Sequence, residues 1–228
     1  MNIQGYQRLT LLDFPGKVAC TVFTGGCNLR CPFCHNGGLV RTPNAFPEAE
    51  AEVLAYLQKR KGLLDAVCIS GGEPLLQVDL AAFIAKVKEM GYLVKLDTNG
   101  ALPQRLLPLL EGRLPDYVAM DVKSSPAGYS AATGTTLDFA PFAQSIRAIR
   151  ESGIPHEFRT TVVKGIHTVE DLIAISQLLG DEPYFLQGFV RSDDLLGEGN
   201  EAFSKEEMQS FLDAVRIRTP RAALRGIT

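Results

Sequence analysis

Short apolar runs and amphipathic stretches alternate about six times along this chain, and that alternation leaves few architectures open. Lys17–Thr24, Ala66–Ser70, Leu93–Leu96, Tyr117–Met120, His156–Val163 and Tyr184–Val190 read as strands. Each is a near-continuous apolar run rather than an in–out alternation, the pattern of strands covered on both faces. Between them lie helices. Glu48–Lys61 follows Pro47 and stops at Gly62, and Leu80, Phe83, Ile84 and Val87 recur at i, i+3, i+4 and i+7 before Gly91. Leu102–Leu110 is a proline-interrupted leucine segment. Phe142, Ile146 and Ile149 mark a further helix. Thr168 and Asp171 open one carrying Leu172, Ile175 and Leu179, and Ser204 with Glu207 forms a capping-box pair before the last. Such an order predicts an α/β protein with a parallel sheet and outer helices. A full eightfold barrel takes ~250 residues, so 228 residues predict a partial (β/α)6 open barrel forming a single domain over 1–228. A doubly wound sheet has the same alternation and stays open as the other topology.

The unusual residues cluster where these strands end. Three cysteines, Cys27, Cys31 and Cys34, follow the first strand in the spacing C-x3-C-x2-C, within a loop over 25–38. G-G-E-P follows the second, D-T-N-G the third and D-V-K the fourth. Parallel α/β folds bind ligands at the carboxyl ends of their strands, so these segments are expected to share one mouth. An iron–sulfur cubane usually takes four thiolates. Three from one loop leave an iron with an open position, which points to catalysis. A zinc site is the competing reading, since His35 follows Cys34 and Cys3His is an ordinary zinc set. Zinc ligands usually come as two hooks a dozen or more residues apart, so the single loop favours iron–sulfur. Cys20 and Cys68 lie in apolar runs and read as buried hydrophobes.

Composition adds exclusions. A net charge of −3 gives no electrostatic case for nucleic acid or an anionic membrane. No apolar stretch reaches the ~18–20 residues of a bilayer span. Five cysteines, an odd number, without a secretory h-region argue against a disulfide framework and for a reducing cytoplasm.

The run F-T-G-G-C-N-L-R-C-P-F-C-H-N resembles the cluster loop of the radical S-adenosylmethionine (SAM) superfamily. With Y-Q-R-L-T-L-L-D-F-P-G-K, D-T-N-G and D-V-K, it is similar to the glycyl-radical-enzyme activating proteins, and most similar to the long form of the anaerobic ribonucleoside-triphosphate reductase activating protein. The resemblance covers roughly residues 5–190. It implies that Cys27, Cys31 and Cys34 hold a [4Fe–4S] cluster whose fourth iron chelates SAM. Reductive cleavage would then give a 5′-deoxyadenosyl radical that takes hydrogen from a glycine of a partner enzyme, with a flavodoxin- or ferredoxin-type protein supplying the electron. Activation of a formate-lyase type enzyme, and small-molecule chemistry of the 7-carboxy-7-deazaguanine synthase kind, are the alternatives.

The same resemblance implies roles for single residues. Phe33 would lie beside the adenine and Gly71 and Gly72 at the methionine amine, where Glu73 would either face the amine or cap a helix. Asp97, Thr98 and Asn99 would reach the ribose or the carboxylate region, with Asp121 and Lys123 beside them. Two neighbouring carboxylates need a cation between them, so Asp97 and Asp121 are expected to share Lys123 or a monovalent metal ion. Arg159, charged within an apolar strand, reads equally as a cofactor contact or as an ion-pair partner, and Gln187 is a weaker candidate of that kind. His35 reads as a supporting residue rather than a ligand. His156 and His167 carry no motif. Asp13, Pro15 and Gly16 either line the path of a glycine-bearing loop or make a plain turn. The run from Asp193 to Gly199 reads most simply as a solvated loop, or else as the rim of the mouth.

Overall fold

The computed structural model describes residues 1–41 and 49–227. Eight strands form one sheet in plain sequence order: β1 (Ile3–Thr10), β2 (Ala19–Thr24), β3 (Ala66–Gly71), β4 (Leu93–Thr98), β5 (Tyr117–Asp121), β6 (His156–Val162), β7 (Tyr184–Gly188) and β8 (Ala223–Arg225). The six runs read from the sequence are β2–β7, and all pair in parallel. A doubly wound sheet reverses its strand order at a switch point. No reversal occurs here, so the sheet winds in one direction as a barrel does. β1 and β8 end the sheet without pairing to each other, which leaves the barrel open.

Two strands extend the expected six. β1 runs antiparallel to β2, with Ile3 opposite Thr24 and Thr10 opposite Ala19. β8 adds three residues parallel to β7. The sheet is sheathed by α1 (Gly37–Arg41), α2 (Glu50–Lys59), α3 (Leu80–Glu89), α4 (Pro103–Glu111), α5 (Tyr129–Thr133), α6 (Ala140–Glu151), α7 (Val169–Leu179) and α8 (Lys205–Arg216). The expected start of α2 at Pro47 and Glu48 lies outside the described residues. Its far end comes earlier than Gly62, with Arg60 as the C-cap. The leucine segment is a true helix, α4. Pro103 sits in its first turn, where a missing N–H costs nothing, and Pro108 is carried inside because Leu106, Leu109 and Leu110 are buried.

Both capping readings hold. At α7, Thr168 Oγ1 accepts from Asp171 N–H at 3.3 Å, and the Asp171 carboxylate accepts from Thr168 N–H at 3.0 Å. Its other oxygen takes the Ser125 hydroxyl at 2.5 Å, tying the helix to the segment after β5. Thr168→Ala is expected to cost about 1 kcal/mol. Calorimetry should read this as a melting point lower by about 2–4 °C, and an unchanged melting point would count against the cap.

Among the described residues no helix is long and apolar enough to cross a membrane. The core is continuous from the strands to the inner faces of the helices, with Val22, Ile69, Leu96, Met120, Phe158 and Leu186 all buried.

Candidate active site

The carboxyl ends of the strands converge on a cavity of about 380 Å³. Cys27, Cys31, Cys34 and Phe33 form one wall, and Ser70, Gly71 and Gly72 come from the end of β3. Asp97, Thr98 and Asn99 enter from β4, Asp121 and Lys123 from β5, Arg159 and Thr161 from β6, and Gln187 from β7. One sheet can aim side chains from so many strands at one volume only if it curls. Glu73 is the predicted site residue that stands outside this lining.

The cysteine loop is held from both sides. Arg30 N–H donates to the Thr133 carbonyl at 2.8 Å, and the Arg30 guanidinium folds back onto the Cys27 and Leu29 carbonyls. A Cβ on Gly134 would stand 2.4 Å from the Arg30 carbonyl oxygen, so α5 must end in glycine to approach this closely. Leu29 N–H points at Cys27 Sγ at 3.4 Å. Burial raises the Cys27 thiol and pushes Cys31 up to about 11. Without iron these groups are therefore neutral thiols, and metal binding must release their protons.

The two glycines at the end of β3, Gly71 and Gly72, answer first to backbone packing. A Cβ on Gly71 would meet Thr24 N at 2.3 Å, and one on Gly72 would meet the Gly26 carbonyl oxygen at 1.9 Å. The close approach seats Gly72 N–H on the Thr24 carbonyl and Glu73 N–H on the Gly26 carbonyl, at 2.9 and 2.8 Å. Gly72→Ala must push apart the strand end that launches the cysteine loop. Its iron content after anaerobic reconstitution is expected to fall below a tenth of wild type, and full iron loading would refute this account.

Glu73 is buried, and both carboxylate oxygens are spent on protein donors. Oε1 accepts from Leu75 N–H at 3.1 Å and from Thr98 Oγ1 at 2.8 Å, while Oε2 accepts from Asn99 N–H at 2.7 Å. Desolvation pushes its pKa up to about 7 against these donors. Of the two roles open to it, amine contact or helix cap, the geometry gives the cap on the short 3-10 turn Pro74–Leu76. It also gives a cross-brace between the G-G-E-P and D-T-N-G segments.

The cation shared by Asp97 and Asp121 is Arg159 rather than Lys123. Arg159 Nε meets Asp121 at 2.8 Å and Nη1 meets Asp97 at 3.4 Å. Lys123 pairs with Asp121 at 3.0 Å, and the almost wholly buried Lys95 pairs with Asp97. Desolvation opposes ionisation of both carboxyls. Arg159 with Lys95 outweighs it at Asp97, and Arg159 with Lys123 outweighs it at Asp121, so both are held below the usual range. Below them Glu157 takes Arg225 on both oxygens, at 2.8 and 3.0 Å.

The histidines are structural. The His35 ring stacks on Phe189 at 5.5 Å with Nε2 at the Val190 carbonyl, so it does not complete a zinc set. His167 Nδ1 accepts from Val163 N–H at 3.0 Å, so Nε2 donates to the Lys123 carbonyl at 2.7 Å, and the ring meets Phe33 edge-on. His156 bridges the Ile154 carbonyl and Glu182. Asp13 lines the cavity and takes the Thr21 hydroxyl at 2.5 Å. The Asp193–Gly199 run is a clasp rather than a solvated loop. Asp194 accepts from Gly38 N–H at 2.7 Å and pairs with Arg41, and Gly197 N–H donates to the Pro32 carbonyl at 2.8 Å. Ser70, Asn36 and Thr161 also line the cavity and Lys95 pairs with one of its carboxylates, roles that the motifs do not assign. A lysine and a serine inside apolar runs were the available signals for Lys95 and Ser70.

A family model, the radical SAM superfamily, matches residues 21–179. The chain is 33% identical over 236 aligned positions to the Methanocaldococcus jannaschii protein MJ1227, named as an unproven glycyl-radical enzyme activating enzyme, with 95% of each covered. It is 30% identical over 168 positions to a pyruvate formate-lyase-activating enzyme of Clostridium pasteurianum, covering 71% of this chain and 68% of that one. Streptococcus suis SuiB bound to S-adenosylmethionine shares the fold with a TM-score of 0.72 at 14% identity, over 89% of this chain and 49% of that one. The chain belongs to the radical SAM superfamily and is an enzyme of it. Membership implies a [4Fe–4S] cluster and SAM. The residues fit that pair: three thiols face one cavity, an N–H donor already points at a sulfur, and the loop is clasped on two sides. Among the described residues no three His, Cys, Asp or Glu groups are gathered to hold a single metal ion.

Proposed function

We propose that this chain is an activase that installs a glycyl radical in a partner enzyme. What supports this most is the likeness to MJ1227 along 95% of both chains, which takes in the cysteine loop and the segments around the cavity together. The resemblance of the opening segment points to anaerobic ribonucleoside-triphosphate reductase as the partner, and the formate-lyase likeness makes that enzyme class an equal candidate. A flavodoxin- or ferredoxin-type protein would supply the electron, and 1–228 would act as one domain.

In this reading Cys27, Cys31 and Cys34 hold the cluster, which with SAM supplies reductive cleavage of the sulfonium bond. Phe33 gives the nucleoside an apolar wall. Gly71 and Gly72 leave a side-chain-free edge for the methionine end. Asp97, Thr98 and Asp121 offer acceptors and donors to the ribose and amine, Asn99 lines the same edge of the cavity, and Lys123 and Arg159 offer positive charge to the carboxylate. The carboxylates are already paired, so Asp97 and Asp121 would exchange partners on binding SAM rather than present bare charges to it. A monovalent metal ion at Asp97 and Asp121 would have to displace Arg159.

The test is to incubate the reconstituted, reduced protein with SAM and each candidate partner in turn. A glycyl-radical doublet in the electron paramagnetic resonance (EPR) spectrum, with one 5′-deoxyadenosine per radical, is expected with one of them. Catalytic consumption of SAM on a deazapurine precursor, with no radical on either enzyme, would overturn the proposal.

A further inference from the structure

Asn99 lines the cavity, and the surrounding groups dictate how its amide is turned. Its Oδ1 accepts from Ala101 N–H at 2.9 Å, so the NH₂ must face the other way, where Nδ2 lies 2.8 Å from Asn28 Oδ1 and 3.8 Å from Cys27 Sγ. Flipping the amide would set NH₂ against the Ala101 N–H and an oxygen against Asn28 Oδ1, losing both bonds. The backbone beneath it is fixed as well, since Asn99 N–H donates to the buried Glu73 carboxylate at 2.7 Å.

We infer that Asn99 is a positioning residue that donates an N–H···S hydrogen bond to Cys27 and thereby raises the reduction potential of the cluster. This rests on the radical SAM reading, in which Cys27 is a cluster ligand. Reduction adds negative charge that spreads onto the thiolate sulfurs. A donor aimed at such a sulfur stabilises the electron-rich state more than the oxidised one, which moves the potential upward. Two donors converge on Cys27 Sγ, the rigid Leu29 N–H at 3.4 Å and the Asn99 amide. The second is a side chain and can be changed alone. Glu73 belongs to the same device at one remove, because it holds Asn99 in register with the cysteine.

The test is an EPR-monitored redox titration of the reconstituted protein without SAM, which removes any contribution from cofactor binding. Asn99→Leu keeps the branched heavy-atom skeleton and deletes the donor, together with the acceptor for Ala101. Asn99→Asp keeps the acceptor for Ala101 but sets a negative charge beside the sulfur. The midpoint potential is expected to fall in both, and further in Asn99→Asp. Potentials equal to wild type in fully loaded variants overturn the inference. If the variants lose the cluster, the unaltered protein still decides: with asparagine labelled by 15N, pulsed EPR of the reduced cluster should show a 15N coupling, and its absence overturns the inference. A wild-type protein that assembles no cluster would instead sink the family reading itself.

Discussion

Cys31→Ala is expected to leave a folded protein that holds no [4Fe–4S] cluster and cleaves no S-adenosylmethionine. Cys31 is buried, and its thiol, pushed up to about 11, is neutral in the iron-free chain. Alanine therefore removes a small apolar group, at a cost of about 1 kcal/mol for the lost burial. The loss of function is far larger, because no spare thiol is within reach. Cys20 and Cys68 are buried in β2 and β3, where burial raises both thiols, Cys20 to about 12. Cys20→Ala and Cys68→Ala should accordingly keep a wild-type iron content. Iron analysis with circular dichroism separates these outcomes. A Cys31→Ala protein that reconstitutes with a normal EPR signal would sink the cluster assignment.

The second large effect is on stability. Arg159→Met is expected to cost about 3–5 kcal/mol at neutral pH, the range for breaking a buried ion pair from one side. Arg159 lies between two carboxylates that Lys95 and Lys123 compensate only singly. The pH dependence fixes the cause. In wild type, Asp97 and Asp121 are held below their unfolded values of about 3.9. Their contribution is thus present above that value and is lost as pH falls through the lower folded values. Without Arg159, burial acts on both carboxyls with less opposition and their folded values rise, so the penalty is greatest where they must ionise. The gap between wild type and variant should close as pH falls through the carboxylate range. Urea titrations at several pH values measure it, and a gap constant down to pH 3 would mean that lost packing, not charge, is responsible.

Much of the architecture could be read from residue order because β2–β7 are apolar on both faces and their helices carry plain caps. Thr168, Ser204 and the Leu80–Val87 face behave as such signals should. β1 was missed for a physical reason: an antiparallel edge strand covered on one side reads as I-Q-G-Y-Q-R-L-T, too polar to resemble its neighbours. β8 and α5, at three and five residues, are too short for any period to register. The site was legible where spacing carries chemistry, as with the cysteines, or where polar residues end a strand. It was not legible where the decisive fact is which neighbour a charge meets. Nothing local to Asp121 says that Arg159 reaches it before Lys123 is shared, and nothing near Glu73 says that its carboxylate is consumed by Leu75, Thr98 and Asn99. Those answers depend on how β4, β5 and β6 register, and β-register is a property of the folded sheet.

The clasp on the cysteine loop also sets a clock. Its hydrogen bond from Gly38 to Asp194 spans 156 positions of the chain. At a synthesis rate of about 5–20 residues per second, the three thiols leave the ribosome roughly 8–30 s before the segment that closes over them has been made. For that interval the earliest-made part of the protein carries its metal ligands on an unlatched loop, open to iron–sulfur delivery and equally open to oxidants.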